Sequence, residues 1–99
     1  MKQFVVTITS DRGRTVCDPI KVEIGPGDIV RWTCKDGDLA VDFENDTPFT
    51  STQVWKAIRG QLTPAAVVKP RQVSGTVFRP TISINGTMVA ESLGDLIVR

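Results

Sequence analysis

Apolar and polar positions alternate with a period of two along most of the chain, the spacing of strands that bury one face. Phe4, Val6 and Ile8 alternate with Val5, Thr7 and Thr9. Ser10 to Arg14 is a polar turn, and Val16 to Pro19 reads as irregular because Pro19 has no N–H for a ladder. Ile20, Val22 and Ile24 then alternate with Lys21 and Glu23. Gly25-Pro26-Gly27-Asp28 has type II turn chemistry, with proline presetting the first corner and glycine free to take φ > 0 at the second. Val30, Trp32 and Cys34 form one face of the next strand, with Trp32 expected at the centre of the core. After the Lys35–Asp38 turn, Leu39, Val41 and Phe43 alternate with Ala40, Asp42 and Glu44.

The pattern blurs from Asn45 to Gly75. Thr52 to Gln61 fits a short helix carrying Val54, Trp55, Ile58 and Leu62 on one face, and equally an irregular edge strand. Ala65 to Val68 is a short strand. Phe78, Pro80, Ile82 and Ile84 share the face of a later one, with Pro80 forcing an edge or bulge. Asn85-Gly86 is a strong two-residue hairpin signal, with Met88 to Ala90 returning. Leu96 to Val98 makes the last strand. Seven or eight short strands with turns every 8–12 residues, and at most one short helix, predict an all-β, antiparallel Greek-key sandwich. The expected core is Phe4, Val6, Ile8, Val22, Ile24, Val30, Trp32, Val41, Phe43, Ile82, Ile84 and Val98.

Ninety-nine residues make one domain, residues 1–99, and the formal net charge of +1 excludes a bulk polyanion binder. No apolar run is long enough to span a bilayer, so no membrane insertion is expected. The N-terminal alternation is that of a strand and not of a signal peptide. Localisation stays open: cytoplasmic if Met1 is the native start, periplasmic or secreted if a leader was removed. Cys17 and Cys34 read as two buried free thiols, or as one disulfide in an oxidising compartment.

The run IKVEIGPGDIVRWTCKDGDLAVDFENDTPF resembles the part of a cupredoxin that leads into the strand carrying the first copper histidine. FRPTISINGTMVAESLGDLIVR resembles the matching last hairpin and final strand. The resemblance covers most of the chain and least of residues 49–75. It implies a plastocyanin- or azurin-type fold, but not its metal. A blue-copper centre needs two imidazoles, a thiolate and a weak thioether, and this chain has no histidine. Leu39-Ala40 stands where the first histidine belongs, and Met88 alone remains in the last hairpin. A cupredoxin-like domain without copper or other cofactor is the expectation.

Without histidine, the Ser-His-Asp and Cys-His constellations are unavailable, and no enzyme is expected. Asp36, Asp38, Asp42, Glu44 and Asp46 offer oxygen ligands, so an accessory domain binding Ca²⁺ or a small ligand through an acidic loop is the alternative function. Residues 1–49 carry net −3 and residues 50–99 net +4, with no carboxylate between Thr47 and Ala90. Lys56 and Arg59 would share a helix face, Lys69 and Arg71 a strand face, and Trp55 would offer a stacking surface or cap the sandwich. These five residues offer a surface to an acidic protein partner, beside the plainer reading of a solvated surface; the charges are too thinly spread to favour nucleic acid. The leading expectation is a non-catalytic binding or interaction module that also self-associates.

Overall fold

The central strand is β4 (Ile29–Cys34), which buries Val30, Trp32 and Cys34 and turns Ile29, Arg31 and Thr33 toward the opposite face. Beside it runs β1 (Gln3–Asp11), with Phe4 opposite Val30, Val6 opposite Trp32 and Ile8 opposite Cys34. The computed structural model describes residues 1–12, 14–89 and 94–99. Gly13, within the expected first turn, and Ala90, the end of the expected hairpin arm, lie outside the described residues.

β2 (Arg14–Asp18) and β7 (Ala66–Val67) complete one sheet in the order β2-β1-β4-β7. A second sheet, β10-β9-β5-β6, contains β5 (Leu39–Asp42), β6 (Trp55–Ala57), β9 (Thr81–Ile84) and β10 (Thr87–Met88). A third, β3-β11-β8, contains β3 (Lys21–Ile24), β8 (Val77–Phe78) and β11 (Asp95–Val98). The inner faces of all three meet in a single apolar cluster. The molecule is an all-β sandwich, with eleven short strands and no helix among the described residues.

Several expectations change. The pairing is mixed: β1 with β4 and β3 with β11 are parallel. After β2 the chain leaves its sheet, pairs in another as β3, and returns as β4; a returning strand is not bound to the antiparallel direction that a hairpin imposes. The stretch from Arg14 to Asp18 is a regular strand against β1, because Pro19 falls just beyond its end. Pro80 does more than bend a strand. It lies between β8, which pairs with β11, and β9, which pairs with β5, so the chain changes sheets there. Thr52–Gln61 is not helical; Trp55, Lys56 and Ala57 take the open edge of β5 instead.

Both turn readings hold. Gly27 has φ +80° and the Asp28 N–H donates to the Gly25 carbonyl across the turn at 3.1 Å. Asn85 and Gly86 both have positive φ, as a two-residue primed hairpin turn requires. Of the expected core, ten residues are buried and Phe4 and Ile84 are partly buried against it. Trp32 is central, touching Phe43, Phe49 and Trp55 with ring centroids 5.7–5.9 Å apart. The Thr63 N–H donates to the Trp32 carbonyl and its hydroxyl accepts from the Trp32 N–H, which anchors the irregular segment to β4.

Cys17 and Cys34 are free and buried. Both pair with Ile8, one from each side, so their backbones lie two strand spacings apart, about 10 Å. A disulfide needs Cα atoms within about 7 Å. Burial, and then the neighbouring Cys34, pushes the Cys17 thiol up to about 11, away from reactive thiolate character.

Candidate functional site

The outer face of the β10-β9-β5-β6 sheet follows from the same alternation that fills the core. Leu39 and Val41 point inward, so Ala40 and Asp42 face out. Register places Ala40 opposite Ser83 on one side and Lys56 on the other, and Ser83 opposite Met88. Two small side chains therefore sit mid-row between two long ones. The result is a shallow trough of about 370 Å³, with Ala40, Ser83 and Gly86 along it and Lys56 and Ile58 at its rim. Ile58 is 69% and Met88 67% exposed.

One end of the trough abuts the Lys35–Asp38 turn, which is tied down from two directions. The Asp38 N–H donates to Asn85 Oδ1, and the Asn85 N–H donates to the Asp38 carbonyl. The Arg59 N–H donates to Asp38 Oδ1 and Arg59 Nε to the Lys35 carbonyl. Gly37 permits this close approach, since a Cβ there would stand 2.5 Å from Asn85 Nδ2.

At the opposite end of β4 lies a pocket of about 170 Å³ lined by Gly25, Lys69, Arg71, Gln72 and Arg99, among others. Asp28 is buried beneath it. It accepts from the Lys2 and Gly25 N–H groups and from Arg99 Nη2 at 2.8–2.9 Å. Burial alone would raise its carboxyl; those two N–H donors and the Arg99 charge outweigh burial and hold it below the usual carboxylate value.

The five expected partner-binding residues do not form one surface. Lys56 is on the trough rim, Arg59 on the turn beside it, and Lys69 and Arg71 at the basic pocket. Lys69 and Arg71 follow β7 in a loop and share no strand face; Arg71 has φ +61°. Trp55 is 1% exposed, packed on Phe49 and Trp32, and presents no stacking face to solvent. The register of β6 puts Trp55 opposite inward-facing Val41, so the ring shares the buried face.

The acidic candidates are not gathered either. Asp36 accepts from the Ser10 N–H of β1, Asp38 from the Arg59 N–H and Asp42 from the Glu44 N–H two residues on, so each carboxylate is engaged at a different place. Among the described residues no three His, Cys, Asp or Glu side chains stand close enough to hold a metal ion. The resemblance sets the copper site near Leu39 and Met88. Leu39 is buried on the inner face of its sheet, whereas Met88 lies on the outer face in the Ala40 row. Sequence reasoning missed Ala40, Ser83 and Ile58 as a group and Asp28 with Arg99 as a pair. The small-residue alternation within β5 and the aspartate closing a Pro-Gly turn were the available signals.

No family model matches the sequence, and no curated protein matches it. Solved structures do match the fold. A pseudoazurin from Sinorhizobium meliltoi superposes with TM-score 0.54 at 17% identity, over 100% of this chain and 75% of that one. Fet3p, a multicopper oxidase that functions in iron import, superposes with TM-score 0.57 at 9% identity, over 98% of this chain. This chain spans 28% of that oxidase's length. At these identities the likeness establishes a cupredoxin-like fold and nothing of activity.

Proposed function

We propose that the chain is a non-catalytic, copper-free cupredoxin-like module that binds a partner protein through the outer face of the β10-β9-β5-β6 sheet. The observation carrying this reading is the trough over Ala40 and Ser83, predominantly apolar in its lining and bordered by exposed Ile58 and cationic Lys56. An exposed apolar depression with a charged rim is the anatomy of a contact that buries one anchor side chain. The donor set supports the same reading: with no histidine in the sequence, the two imidazole ligands that a blue-copper centre needs are missing. Self-association through the same face belongs to this reading.

Ser83→Arg fills the trough from an outward-facing strand position, and Thr7→Arg makes an equivalent change on the other sheet. A partner recovered from the source organism by the wild type and T7R, and lost by S83R, supports the assignment. For a second copy as partner, light scattering should show a concentration-dependent mass abolished by S83R alone. Identical capture and mass for all three proteins overturns it.

A further inference from the structure

The pocket at the Gly25–Asp28 end has a charge imbalance that the fold leaves unresolved. Its lining contains three cationic side chains, Lys69, Arg71 and Arg99, and no Asp or Glu. Arg99 is already neutralised: its guanidinium lies against Gly25, where a Cβ would come within 2.6 Å, and ion-pairs with buried Asp28. That contact fixes the guanidinium in place while engaging only part of its five-donor fork. Lys69 and Arg71 have no ion-pair partner among the described residues. Nor does their own segment supply one, since no carboxylate occurs between Thr47 and Ala90. Two positively charged residues without an ion-pair partner thus border a concavity of about 170 Å³. A cavity of about 150 Å³ admits a benzene-sized guest, so there is room for a tetrahedral oxyanion. Arginine recognises such groups bidentately and lysine as a point charge.

We propose that this pocket binds a dianionic oxyanion, a phosphate or a phosphoryl group, through Lys69, Arg71 and Arg99. A double negative charge matches the two unpaired cations; a single carboxylate would leave one of them uncompensated. The site lies at the other end of β4 from the trough and does not depend on it.

Isothermal titration of the full chain at constant ionic strength tests this, with inorganic phosphate, O-phosphoserine and acetate as probes and chloride as baseline. Saturable one-to-one binding of either phosphate compound, at least about tenfold tighter than acetate, is expected. Inorganic phosphate binding as tightly as O-phosphoserine identifies the free ion as sufficient; binding of O-phosphoserine alone identifies a phosphoryl group carried on a larger molecule. Lys69→Gln and Arg71→Asn should each weaken binding about tenfold. Asparagine tolerates the left-handed backbone at position 71 better than most residues, and matching melting curves without ligand verify folding. Amide shifts in the wild type should cluster at Gly25, Lys69, Arg71 and Gln72. No saturable binding of either phosphate compound, equal affinity for acetate, or unchanged affinity in both variants overturns the proposal.

Discussion

Asp28 illustrates how much one side chain settles. It closes the Gly25-Pro26-Gly27 turn, accepts from the Lys2 N–H at the start of the chain, and pairs with Arg99 at residue 99. Three remote points of the sequence are joined on one carboxylate that is itself only 2% exposed. Those bonds need the ionised form. Burial opposes it, but the N–H donors and Arg99 prevail, so the folded-state pKa lies below the unfolded value. By linkage, a lowered pKa contributes stability above the unfolded value that disappears as pH falls through the folded one. Asp28→Asn removes the charge and misplaces a donor, and should cost about 2 kcal/mol near neutral pH. Urea midpoints followed from about pH 7 down to about pH 2 should fall less steeply for D28N than for the wild type. Parallel pH profiles would show that another group controls acid stability.

At the scale of elements, legibility followed regularity. β1, β3, β4 and β5 show clean alternation, and their buried faces were read residue by residue from the pattern. β6 was ambiguous because Val54, Trp55 and Ile58 fit a helical stripe as well as a strand, and the deciding influence was remote: Val41 offers an open edge. Phe49 was invisible for a related reason. It sits beyond turn chemistry at Asn45–Pro48, and a bridge to Val68 and the rings of Trp32, Phe43 and Trp55 bring it inside. The trough was hidden because it is defined by which small residues face each other across strands, and register between strands distant in sequence cannot be read from one chain. Trp55 and Lys56 separate the two faces of β6 experimentally. Trp55→Ala should cost about 3–5 kcal/mol by emptying the centre of the aromatic cluster, while Lys56→Glu should stay within about 0.5 kcal/mol. Denaturant unfolding measures both, and a mild W55A would place the ring outside the core.

For the whole molecule, β4 acts as a spacer. Its six residues set the basic pocket and the Lys35–Asp38 turn about 20 Å apart. That separation is about two Debye lengths at 0.1 M salt, so charges at the two ends titrate and bind independently. The sequence's division into an acidic and a basic half does not become two charged faces, because each half contributes to both ends. Dispersal of the carboxylates argues against the calcium reading. A calcium site needs six to eight oxygens around one ion, and here Asp36, Asp38 and Asp42 each hold a different backbone N–H. Even a weak extracellular-type site, with Kd of about 0.1–1 mM, would stabilise the fold by roughly 1.4–2.7 kcal/mol at about 10 mM calcium. For a chain of this size that is a rise of several degrees in Tm. The expected shift on adding about 10 mM calcium is under about 1 °C, unchanged by EDTA. A rise of several degrees that Asp42→Asn removes would mean that these turns rearrange around an ion, and that the acidic segment has a function beyond holding backbone N–H groups.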